Sequence, residues 1–98
     1  MNVAEQLAIR RARVEDAATI HGLLRDLAAA LGKSGDLHSR VEDIERFGFG
    51  REPCFEAMVA CVVSGSGERP VGLVVYFYEF STWRGQPGVY VQDLYVAP

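Results

Sequence analysis

The chain has 98 residues, 49% of them hydrophobic and 23% charged, with a formal net charge of -3. That length fits one domain spanning residues 1–98, large enough to bury roughly two-thirds of its unfolded surface. A mildly acidic balance with no basic cluster gives no electrostatic reason to expect a nucleic acid or an anionic membrane as partner.

The opening "MNVAEQLAIRRARVED" has no apolar core of signal-peptide length. No run approaches the roughly 20 apolar residues that span a bilayer, so the cytoplasm is the expected compartment. "QLAIRRA" alternates and predicts a first strand with Leu7 and Ile9 on one face. Ile20, Leu23, Leu24, Leu27, Ala28 and Leu31 then recur at helical spacing. Glu15 and Asp16 sit in the favourable first turn and Gly32 is the stop, while Gly22 inside the helix costs about 1 kcal/mol against alanine. After the loop "GKSGDLH", Ser39 and Glu42 have the spacing of a capping box, and Val41, Ile44 and Phe47 line a shorter helix ending at Gly48.

The second half reads differently. "FEAMVACVV" and "VGLVVYFYEF" are rich in β-branched and aromatic residues and are separated by the turn cluster "SGSGERP". The loop "STWRGQPG" follows, and then the strand "VYVQDLYV". Short connections between three strands indicate an antiparallel meander. The order is β-α-α-β-β-β, an α+β domain with the meander packed on two helices, without an internal repeat or linker.

Few motifs suggest chemistry. Cys54 and Cys61, with His21 and His38 far away in sequence, do not have a metal-binding spacing, and two cysteines make no disulfide framework. Alternation places Cys61 on a face with Phe55, Val59 and Val63, so a buried free thiol is expected. "SGSG" lacks the Lys and Ser/Thr of a phosphate loop and reads as a hairpin turn. His21 reads as a helix residue beside the apolar stripe and His38 as a loop residue. Trp83, in the loop between two strands, can plug the sheet end or wall in a ligand. In the last strand, alternation puts Gln92, Leu94 and Val96 on one face and Val91, Asp93 and Tyr95 on the other. Asp93 among apolar neighbours is either a structural acid held by backbone donors or an arginine, or a functional carboxylate with a raised pKa.

From Asp43 onward, the "FGFG" turn, the "VG…YF" strand, the loop tryptophan and the "QDLYV" strand occur together in order. In this the chain resembles the amino-terminal half of a GCN5-related N-acetyltransferase, nearest to the diamine (spermidine/spermine-like) branch. The resemblance implies a fold with one strand, two helices and a meander, followed by a second, parallel half. It implies acetyl-CoA as co-substrate, held by backbone groups of Leu94, Tyr95 and Val96 on the open edge of the last strand. It also implies a small-molecule amine at Gln92 and Asp93, with Trp83 close to that acceptor. Gln92 stands where the diamine branch usually has glutamate, and Leu31 where it often has an acid. A dication calls for several carboxylates, so primary amines other than diamines and polyamines are candidates too.

In the family the last strand is followed by an arginine- and glycine-rich loop whose N–H groups bind the coenzyme A pyrophosphate at a helix amino terminus. The tyrosine that serves as general acid lies further on. The sequence as given stops at Pro98. These 98 residues alone are therefore expected to be inactive, and no catalytic residue is assigned among them. The resemblance further implies a homodimer. The leading expectation is an N-acetyltransferase transferring acetyl to a primary amine, and the alternative is a non-catalytic binding or dimerisation module on the same half-fold.

Overall fold

A computed structural model describes residues 5–98. Residues 1–4, part of the segment read as free of a signal sequence, lie outside them. The order is β1 (Gln6–Arg11), α1 (Ala17–Ala30), α2 (Val41–Phe49), β2 (Glu56–Ser64), β3 (Gly67–Ser81) and β4 (Gln86–Val96). The strands form one antiparallel sheet in sequence order, β1-β2-β3-β4. Both helices cover the same sheet face, so the expected meander on two helices is borne out.

The core lies between that face and the helices. Ile20, Leu23 and Leu24 from α1 and Ile44 from α2 meet Ala57, Val59 and Cys61 of β2 and Leu73 and Val75 of β3. The thiol of Cys61 is buried, as alternation required, and burial pushes its pKa up. The α1 stripe fades toward its end, where Leu31 is exposed. There the helix stops in the glycine cap that its sequence announces. Gly32 has φ of 68° and donates to Ala29 O, while Lys33 donates to Ala28 O at 2.8 Å, the paired bonds of a Schellman motif.

Four details differ from the sequence reading. The α2 cap lies one residue later: Arg40 N donates to Asp43 Oδ2 at 2.8 Å, because that carboxylate sits three positions past the residue that actually precedes the helix. The helix runs through Gly48 to Phe49 and ends at Gly50, whose N–H donates to Arg46 O. The connection before β3 narrows to Gly65 and Ser66, since Gly67, at φ of 114°, lets the strand start early. Finally, Leu7 and Ile9 share a face as expected, but it is the face away from the helices, where both are exposed. The inward positions of β1 are Ala8 and Arg10, paired with Cys61 and Val59.

Arg10 replaces apolar packing at that corner with charge. Its guanidinium donates to both carboxylate oxygens of Asp16, at 2.7 and 3.0 Å, and to Glu68 at 3.2 Å. One side chain thereby ties β1 to the entry of α1 and to the start of β3. Beside Arg10, the carboxyl of Asp16 is held below the ordinary aspartate value.

Candidate acceptor site

β3 and β4 do not stay in one register. Val75 pairs with Asp93, but Tyr76 pairs with Val91, which leaves Gln92 as an extra residue in β4. Such a β-bulge turns consecutive side chains toward one side and bends the strand. Strict alternation separates Gln92 from Asp93, and the bulge cancels that separation: both side chains line one cavity of about 400 Å³.

The rest of the wall is apolar. Leu24 and Ile44 come from the helices, Val75 and Phe77 from β3, and Cys54 and Phe55 from the segment entering β2. Phe77 is steadied by stacking on Tyr90, ring centroids 5.0 Å apart. Phe55 reaches its place because residue 48 has no side chain: a Cβ on Gly48 would lie 2.6 Å from Phe55 Cζ. Cys54 N donates to Phe47 O, which holds the entering segment against α2. Leu24, Ile44, Cys54 and Phe55 were legible only as core or loop residues. Nothing in their spacing announces a cavity.

Asp93 is the sole carboxylate of this lining. Burial pushes its pKa above the ordinary aspartate value. Among the described residues no donor forms a hydrogen bond or ion pair with that carboxylate, so neither an arginine nor a backbone N–H holds it. A desolvated, unpartnered carboxylate next to a neutral amide in an apolar cavity is chemically suited to a cation with an apolar chain.

Beyond Asp93, β4 is an edge strand. Ala97 N donates to Val71 O at 2.7 Å. Alternation along an antiparallel ladder then turns the backbone groups of Tyr95 toward β3 and those of Leu94 and Val96 to the open side. An extended ligand lying along that edge meets free N–H and C=O groups at Leu94 and Val96, whereas Tyr95 contributes its half-buried side chain. Trp83 stands apart. It occupies the turn between β3 and β4, is 98% exposed, and lies roughly 20 Å along β4 from Asp93 at about 3.3 Å per residue. Within one chain it does not reach the cavity, because the β3–β4 hairpin carries its turn away from the helices. His21 is engaged structurally: its Nε2–H donates to Ser39 O at 2.7 Å. Among the described residues no group of three His, Cys, Asp or Glu is placed to hold a metal, and no helix is long and apolar enough to cross a membrane.

No family model matches the chain. In sequence it is 36% identical over 94 residues to a thialysine N-epsilon-acetyltransferase of Mus musculus, covering 92% of this chain and 55% of that protein. The corresponding protein of Bos taurus is 34% identical over the same shares. Spermidine/spermine N(1)-acetyltransferase-like protein 1 of Homo sapiens is 32% identical over 91 residues, 90% of this chain and 13% of that one. The chain thus spans about half the length of the thialysine acetyltransferases it matches. Among solved structures, one described as a possible acetyltransferase from Clostridium difficile 630 superposes with a TM-score of 0.69 at 22% identity, over 93% of this chain and 57% of that one. The chain has the fold of the GCN5-related N-acetyltransferases, and its sequence lies near their diamine-acetyltransferase branch.

Proposed function

We propose that the protein is an N-acetyltransferase that moves an acetyl group from acetyl-CoA to a small primary amine, with the acceptor at Gln92 and Asp93. The observation that carries this reading is the unpartnered carboxylate of Asp93 in an apolar cavity, with Leu94 of the edge strand β4 the next residue in the chain. The relatives are named for acetylation of thialysine and of spermidine or spermine, all amines, which supports the acceptor class.

Acetyl-CoA supplies an activated acetyl thioester when bound. The residues suited to hold its extended arm are Leu94 and Val96, through main-chain groups on the open edge, with Tyr95 packing beside them. Asp93 pairs with the amine as ammonium and, with its raised pKa, is suited to take one proton and free the nitrogen lone pair. Gln92 offers an amide that orients the same nitrogen. Nitrogen-to-carbonyl bond formation then accompanies loss of the carbon–sulfur bond. The second amine proton leaves and coenzyme A departs as thiol, so atoms and charge balance. The cavity contributes mainly by positioning and by excluding water around the pair.

Two further parts belong to this reading. The two free cysteines and the acetyl-CoA chemistry fit the reducing cytoplasm. The uncovered sheet face, with Leu7, Ile9, Leu94 and Val96 exposed, suits association with a second copy. Sedimentation at micromolar concentration should return the dimer mass, and a compact monomer alone would contradict that part. The reaction itself is tested by mass spectrometry of primary amines incubated with acetyl-CoA and the full-length protein. An N-acetyl product is expected. Acetyl-CoA consumption without acetylated amine would refute the acceptor reading.

A further inference from the structure

One small cavity shares no residue with the acceptor cavity. About 170 Å³ in volume, it is lined by His21, Arg25 and Ala28 of α1 and by Ser34 and Leu37 of the loop that follows. Residues 21, 25 and 28 fall on one face of the helix, each about a turn from the next, so both basic side chains border the same space. No carboxylate lines it, although the chain as a whole is acidic. Arg25 is in no salt bridge among the described residues. It is also the one charged group that faces His21 there. Lys33 and Asp36 of the loop line a neighbouring cavity instead, and no charged residue of α2 or of the sheet borders this one.

We propose that His21, Arg25 and Ser34 form a binding site for a compact oxyanion, of the size and charge of sulfate or phosphate, and that the site fills when His21 is protonated. The hydrogen bond to Ser39 fixes the chemistry of the ring. A carbonyl oxygen only accepts, so Nε2 carries the hydrogen that it receives at 2.7 Å. In the neutral ring Nδ1 is then a lone pair, which an anion avoids. Protonation turns Nδ1 into a donor while the bond to Ser39 stays in place, since both ring nitrogens donate in imidazolium. It also sets two cations one helix turn apart, a repulsive spacing that an anion between them relieves. Arg25 supplies a forked donor and Ser34 a hydroxyl from the loop side. The volume admits a tetrahedral oxyanion and excludes a nucleotide. Held between α1 and the loop, the anion adds a second tie to the one that His21 makes with Ser39.

The test titrates the full-length protein with sodium sulfate against sodium chloride at constant ionic strength, and follows the histidine ring resonances by NMR. Sulfate keeps its charge across the working range, so any pH dependence belongs to the protein. At pH 6 the ring of His21 should move saturably with sulfate, while the exposed His38 serves as the internal control and should not. The affinity should fall about fivefold or more at pH 8, and by a similar factor in Arg25→Gln at pH 6, as expected for loss of one charge-assisted partner. No saturable movement of His21, or equal movement of His21 and His38, overturns the site, and that comparison needs no variant. Affinities within twofold of each other at the two pH values overturn the role of His21, and an Arg25→Gln protein that binds as wild type does overturns the pairing with Arg25.

Discussion

Gln92 and Asp93 are consecutive in β4 and yet open onto the same cavity, because the register slips by one residue opposite Val75 and Tyr76. A regular strand would have turned one of them to the opposite face of the sheet. The bulge is therefore what converts a strand with a misplaced acid into a site with an acid and an amide side by side.

The first prediction concerns pH. Asp93 has a raised pKa, so kcat/KM for an amine should fall as pH drops through a value above the ordinary aspartate range. Gln92→Glu puts a second carboxylate beside the first, and like-charge repulsion should move that acidic limb further toward neutral pH. Rate profiles of the two proteins check this, and superimposable limbs would contradict it.

Much of this was legible beforehand, and the rest has identifiable physical reasons. Periodicity sufficed for both helices, the meander and the Gly32 stop, since each rests on local spacing. The direction in which Leu7 and Ile9 point was not legible, because alternation defines two faces without saying which one the helices cover. The bulge at Gln92 was equally hidden, as it depends on how β3 and β4 pair rather than on either strand alone. Trp83 was assigned to the acceptor by resemblance, and only the length of the β3–β4 hairpin reveals how far it stands from Asp93 in its own chain.

Stability at low pH should depend on Arg10 and Asp16. The folded pKa of Asp16 is depressed, so its contribution is present above the unfolded value near 3.9 and is lost as pH falls through the folded one. Asp16→Asn should cost about 1–2 kcal/mol at pH 7, the range for a charge-assisted pair that is partly exposed. The cost should shrink in acid. Denaturant titrations at pH 7 and pH 3 measure both.

Three glycines should respond with opposite signs. Nothing lies within 4 Å of a Cβ at Gly22, so Gly22→Ala should stabilise α1 by about 0.5–1 kcal/mol. At Gly50 a Cβ would sit 2.3 Å from Arg46 O, a backbone atom that cannot step aside, and Gly50→Ala should destabilise by about 1–3 kcal/mol. Gly48→Ala should also destabilise, but by pushing the Phe55 ring, and it should weaken amine binding in the same variant. Thermal melts with amine titrations separate the three.

The two thiols provide an independent probe of the cavity. Cys61 is buried and should resist a thiol reagent until the chain unfolds, whereas Cys54 is exposed at the cavity wall and should react readily. An acceptor amine bound at Asp93 should slow the labelling of Cys54 and leave Cys61 unchanged. Equal labelling rates with and without saturating amine would count against an occupied cavity.

The most direct measurement is steady-state acetyl transfer from acetyl-CoA to a small primary amine by the full-length protein and by its Asp93→Asn variant, with melting temperature recorded for both. A raised carboxyl pKa means that the folded state loses stability as pH rises through that value, so the neutral amide should melt no lower than wild type at pH 7. Loss of the ammonium partner and proton acceptor should lower kcat/KM about 100-fold or more. A folded Asp93→Asn with full activity, or one that simply unfolds, would contradict the assignment of this carboxylate to the acceptor.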